Sequence, residues 1–171
     1  MPSGNSAIVG AAGEHLVMSR LLMNNFVAGL APTGARMVDV IAHGEDGRAL
    51  DIQVKARSGV KSNGLPTKSV KWHMQPKHEQ WVADNLYYCF VDFAPEQPEV
   101  FVLPSLVVAD ALALTHKLWL KVPGRNGKPH NPDSQLRFIS VRQRGQEEGW
   151  LEQYRERWDL LRSVEFGQVA A

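Results

Sequence analysis

The apolar positions along the chain follow two different periods. Between residues 6 and 23, Ile8, Ala12, Leu16 and Met23 recur at helical spacing, Ser6 or Asn5 can cap the start, and Asn24-Asn25 closes the run, which predicts a helix over 6–23. "FVAGLAP" predicts a first strand, and residues 37–43 and 49–56 a second and a third. "GLPTKSVKWHM" reads as a loop, and Pro76 suits the first turn of a helix over about 76–84. "LYYCFVDF" and "EVFVL", rich in aromatic and β-branched residues, predict two further strands. Pro104-Ser105 opens a helix to Leu120, "VPGRNGKPHNPDS" is turn chemistry, and "LRFISV" is a short strand. Trp150, Leu151, Tyr154, Trp158 and Leu161 predict an amphipathic terminal helix. This order predicts an α/β fold, a mixed β-sheet with helices on both faces. A length of 171 residues suits one domain over 1–171, with a core over about 6–104 and a helical extension over about 105–165.

One stretch breaks its own pattern. In "MVDVIAHGEDGRALDIQVKAR", Asp39 interrupts an apolar run, and Asp51, Gln53 and Lys55 alternate with Leu50, Ile52 and Val54. Alternation puts Asp51, Gln53 and Lys55 on one face of the third strand. Glu45-Asp46-Gly47 reads as a three-residue hairpin loop with Gly47 left-handed. Counting back from that turn sets Ile41 opposite Asp51, Asp39 opposite Gln53 and Met37 opposite Lys55. A carboxylate, an amide oxygen and an ammonium thus converge on one patch. The carboxylate and the amide are hard oxygen donors of the kind that hold Mg²⁺, and the ammonium can orient a water or act as a base. On the first helix, Glu14 lies in line with Gly10, Ala11, Met18 and Leu21, so its carboxylate is expected to point toward the sheet or its rim. Gly10 and Gly13 cost helix stability and make sense where the helix packs closely.

Charge alters the picture locally. The formal net charge is only +1. Yet no acid occurs from Ile52 to His78, where Lys55, Arg57, Lys61, Lys68, Lys71 and Lys77 fall, and Asp133 is the one acid from Lys121 to Arg144. Such segments bind polyanions at one face, or are solvated lysine-rich loops. Cys89 is the only cysteine, so no internal disulfide forms and a cytoplasmic location is expected. No apolar run has the length of a membrane span, and the start of the chain does not read as a signal peptide. Trp72 is expected in the core, "GRNGK" as a turn, and His78, Glu79 and Trp81 in the packing of the second helix.

"VDV" before a short hairpin, then "DIQVKAR", together with "GAAGEHLVMSRLL" on the first helix, resembles the PD-(D/E)XK nuclease superfamily, over roughly residues 8–93. The resemblance implies a restriction-endonuclease-like fold with an αβββαβ core, and a Mg²⁺-dependent DNA endonuclease that hydrolyses phosphodiester bonds, Mn²⁺ being able to substitute. Asp39 resembles the metal-binding aspartate, Lys55 the lysine beside the attacking water, and Glu14 the helix-borne acid. Gln53 stands where Asp or Glu is usual, and a neutral ligand draws the cation less strongly. That departure keeps open a catalytically weak or inactive DNA-binding protein of the same fold. Asp51 is an outer participant that could supply the missing charge. Arg57, Lys61, Lys68 and Lys71 follow the patch and are expected to contact DNA phosphates. A homodimer is expected, because cutting two strands calls for two sites.

Overall fold

The computed structural model describes residues 5–32, 34–59, 69–124 and 127–162. Helix α1 (Ser6–Met23) begins where the Asn5 side chain accepts the Ala7 N–H at 3.1 Å, and ends where the Asn24 N–H returns to the last turn. Strands β1 (Val27–Leu30), β2 (Val40–His43) and β3 (Ala49–Arg57) form an antiparallel meander. A two-residue-alternating segment, β4 (Lys71–Met74), and a short 3₁₀ turn (Pro76–Glu79) lead to β5 (Leu86–Asp92), which pairs parallel to β3. Strand β6 (Glu99–Pro104) is antiparallel to β5, α2 (Ser105–Leu120) follows, and β7 (Arg137–Ser140) pairs with β4. The main sheet runs β1-β2-β3-β5-β6, and β4-β7 is a separate two-stranded ribbon.

The sheet is mixed and flanked by helices, as its alternation of elements predicts. Every residue of β5 is buried, because both faces of this central strand are covered. On one face, Leu50, Ile52, Val54, Cys89 and Val91 pack with Val17 and Leu21 of α1 and with Trp158 and Leu161. On the other, Tyr88, Phe90 and Leu103 pack with Val108 and Leu112 of α2, with Trp72 and Ile139 of the ribbon, and with Trp150 and Leu151.

Four expectations need correction. The segment after Lys71 is a strand, not a loop: Lys71, Trp72, His73 and Met74 alternate exposed and buried, and β7 supplies the partner. The helix expected over 76–84 is one 3₁₀ turn, Pro76–Glu79. The terminal helix is two 3₁₀ turns, Glu152–Tyr154 and Trp158–Leu161, because Glu156 adopts φ 50° and the chain breaks to donate its N–H to Val100 at 2.8 Å. The extension beyond Ser105 is therefore only partly helical. Strand β2 starts at Val40 rather than Met37, since Met37 takes the left-handed conformation at φ 69°. Among the described residues, no helix is long and apolar enough to cross a membrane.

Candidate active site

The hairpin register is the one the turn predicts. Gly47 is left-handed at φ 73°, its N–H meets the Gly44 carbonyl at 3.0 Å, and Ile41 stands opposite Asp51. One step beyond the Val40–Ile52 pair, Asp39 donates its N–H to the Ile52 carbonyl and accepts from the Ala31 N–H, both at 2.9 Å. Its main chain is thus held from both sides. The Asp39 side chain then reaches β3, where Oδ2 accepts the Val54 N–H at 2.6 Å and the side-chain amide of Gln53.

Gln53 is 6% exposed and Lys55 is half-buried. In the parallel register they stand beside Tyr88 and Phe90, so both point to the side of the sheet that carries the ribbon. They open onto a cavity of about 730 Å³ together with Met37 and His78, rimmed by Arg36, His73, Gln75 and Lys77. Glu14 enters from α1. A Cβ at Gly13 would stand 2.6 Å from the Ala56 Cβ, so only glycine lets the helix lie this close to β3. No such contact surrounds Gly10.

The charges are coupled. Burial pushes the Glu14 carboxyl above its ordinary value, and the Asp39 charge pushes it further, against His15 and Lys55. Burial holds the Lys55 ammonium below its ordinary value; Asp39 and Glu14 oppose this, while Lys77 adds to it. His78 is 3% exposed, and its Nδ1 lies 2.9 Å from the Tyr88 hydroxyl. Burial, then Lys55 and Lys77, bring it down to about 4, so its imidazole is neutral near pH 7.

Asp39 and Gln53 thus meet in a hydrogen bond, with Lys55 and Glu14 within electrostatic reach of Asp39. The other candidates fare differently. Asp51 shares the face of Gln53 but takes the Asn85 side-chain amide at 3.3 Å, an arrangement at the start of the strand. Arg57 is drawn into an ion pair with its parallel neighbour Asp92 at 2.6 Å, with both side chains almost buried. Lys71 is exposed on β4, its Nζ 5.6 Å from the Phe138 ring. Lys61 and Lys68 lie outside the described residues. Trp72 is a core residue whose indole donates to the Val91 carbonyl at 2.8 Å, and burial pushes the Cys89 thiol up, away from nucleophilic use. His78 and Tyr88 were not singled out as site residues by sequence reasoning. A lone histidine after a proline carries no motif, and its one signal was its place in the acid-free stretch.

Among the described residues, no three His, Cys, Asp or Glu side chains cluster as a metal site. The donors present are two carboxylates and one amide, all hard oxygen ligands once the Gln53 amide turns its oxygen inward. That set fits Mg²⁺, which keeps several waters and needs few protein ligands, and the mutual repulsion of Glu14 and Asp39 is what a cation relieves.

No family model matches the chain, and no curated protein sequence matches it. Among solved structures, the bacterial homing endonuclease I-Ssp6803I shares the fold, with a TM-score of 0.51 over 92% of this chain and 91% of that one, at 18% sequence identity. This is a nuclease-like fold.

Proposed function

We propose that this chain is a Mg²⁺-dependent DNA endonuclease of the PD-(D/E)XK kind, hydrolysing phosphodiester bonds, with Mn²⁺ able to substitute. The observation that carries this reading is the hydrogen bond that joins Asp39 to Gln53 across the hairpin, beside the cavity that Gln53 and Lys55 line. The fold shared with a homing endonuclease supports it.

Asp39, Gln53 and Glu14 would hold the cation. When bound, it supplies charge neutralisation at the phosphate and acidifies water. The backbone and Gln53 fix the Asp39 carboxylate before any ligand arrives, which removes the cost of orienting it. Lys55 stands where it can orient the attacking water and stabilise charge on the phosphate, and its lowered pKa brings it closer to service as a base. His78, neutral and held by Tyr88, closes the cavity behind Lys55 and adds no competing positive charge. Lys77 and Arg36 stand at the opening, cations suited to a DNA backbone. DNA is the partner, and a homodimer suits the cutting of two strands.

Plasmid nicking tests the reading. The chain is expected to nick supercoiled DNA in Mg²⁺ or Mn²⁺, and Asp39→Ala or Lys55→Ala is expected to abolish it. A single observation favours a second reading: Gln53 gives its amide N–H to Asp39, where a second carboxylate would strengthen cation binding. A catalytically weak or inactive DNA-binding protein would retain salt-sensitive duplex binding and nick nothing with either metal.

A further inference from the structure

We propose that the β4–β7 ribbon reads DNA sequence from the major groove and sets which sites are cut; this rests on the endonuclease reading above. The ribbon stands apart from the five-stranded sheet. Alternation turns Trp72, Met74 and Ile139 into the core, where the Trp72 indole is tied to β5, and leaves Lys71 and His73 exposed. Gln75 continues the extended backbone, with φ −126° and ψ 159°, and is exposed on the same face. The register sets His73 opposite Phe138, and one further step along it brings Leu136 beside Gln75. Leu136 is 58% exposed. One strand therefore offers an ammonium, an imidazole and an amide at two-residue intervals, and the other offers exposed apolar carbon.

Phosphates are met by cations, amides and backbone N–H groups alike, but exposed apolar carbon beside them adds nothing to a phosphate contact. The mixture here matches base edges instead. An amide pairs with the N6 and N7 of adenine, lysine meets the acceptors of guanine, and apolar carbon meets the thymine methyl. Dimensions agree: two strands about 4.8 Å apart enter a major groove about 12 Å wide, and a four-residue strand spans about four base pairs. Charge agrees as well. No acid lies between Ile52 and His78, and the next one, Glu79, is paired with Arg137. Position completes the argument, since His73 and Gln75 line the same cavity as Gln53 and Lys55. A duplex seated on the ribbon has its backbone at the cavity mouth.

The test selects duplexes bound by the full-length chain from a random-sequence library, with Ca²⁺ in place of Mg²⁺, alongside plasmid nicking in Mn²⁺. The wild-type chain is expected to enrich a defined sequence, and methylation of guanine N7 within it is expected to block binding. The His73→Ala/Gln75→Ala variant is expected to lose discrimination by roughly tenfold or more at the bases it reads. Methylation interference uses the wild-type chain alone, so it decides the matter even where the variant fails to fold. The ribbon proposal is overturned if the folded variant enriches the same sequence, if N7 methylation has no effect, or if the wild-type chain nicks plasmid while enriching no sequence. It is equally overturned if Leu136→Asp converts a dimer to a monomer with sequence preference intact, which would make this face a contact between copies. A wild-type chain that neither nicks nor retains duplex sinks the endonuclease reading itself, a distinct result.

Discussion

The side-chain amide of Gln53 donates to the Asp39 carboxylate across the β2–β3 hairpin, and the Val54 N–H shares the same oxygen at 2.6 Å. A neutral side chain here does two things: it satisfies Asp39 without a metal, and it withholds one negative charge from a cation.

Gln53→Glu therefore exchanges apo stability for metal affinity. It replaces a buried donor by a second carboxylate against Asp39, and unfolding in chelator is expected to show a loss of about 1–3 kcal/mol. Added Mg²⁺ is expected to raise the melting temperature more in this variant than in the wild type, since a ligand that binds only the folded state stabilises it. Thermal melts with and without Mg²⁺ check both statements.

Lys55 and Glu14 carry opposite pH signatures. The lowered pKa of Lys55 means the unfolded chain holds its proton longer, so stability rises with pH from the lowered value up to 10.5. The raised pKa of Glu14 means the folded chain holds its proton longer, so stability falls as pH rises from 4.5 to the raised value. Lys55→Met is expected to flatten the alkaline slope, and Glu14→Gln the acidic one. Glu14→Gln is also expected to melt no lower than wild type at pH 7 while binding Mn²⁺ more weakly, as titration calorimetry would record.

His78 makes the protein acid-sensitive. Its proton is bound only near pH 4 in the folded state against 6.5 when exposed, so stability is lost as pH falls through that window. His78→Phe is expected to flatten this dependence in urea titrations run between those two pH values. Tyr88→Phe removes the hydroxyl that lies 2.9 Å from Nδ1 and is expected to cost about 1–3 kcal/mol.

Gly13→Ala tests the close approach of α1. Alanine favours a helix by about 1 kcal/mol, but here its methyl meets Ala56, and overpacking of this kind costs about 1–3 kcal/mol. The net effect in chemical denaturation is expected to be a loss. Nicking is expected to fall further than stability does, because Glu14 moves with the helix.

Much of this arrangement was legible in the sequence. The bounds of α1 follow from Asn5 and Asn24, and the hairpin register from Gly47, because capping and turn chemistry act over a few residues. That register alone brings Asp39 to Gln53. The ribbon was hidden for the opposite reason. Lys71, Trp72, His73 and Met74 alternate as a strand does, but their partner lies near residue 140 and proline and glycine flank them. Trp150, Tyr154 and Trp158 have helical spacing, yet the Glu156 turn and its bond to Val100 override it. Arg57 reads in sequence as a phosphate contact, and its ion-pair partner Asp92, thirty-five residues on, becomes its neighbour only when β3 and β5 align. The motifs that carry the likeness to a known superfamily sit on α1 and the hairpin, and they assign no role to His78.

The single bond from the Trp72 indole to the Val91 carbonyl has a mechanical meaning. It rivets the outlying pair of strands to the middle of the main sheet, beside the strand that bears Lys55. Whatever rests on those outlying strands is thereby kept at a constant offset from Lys55, as a workpiece is kept by a jig.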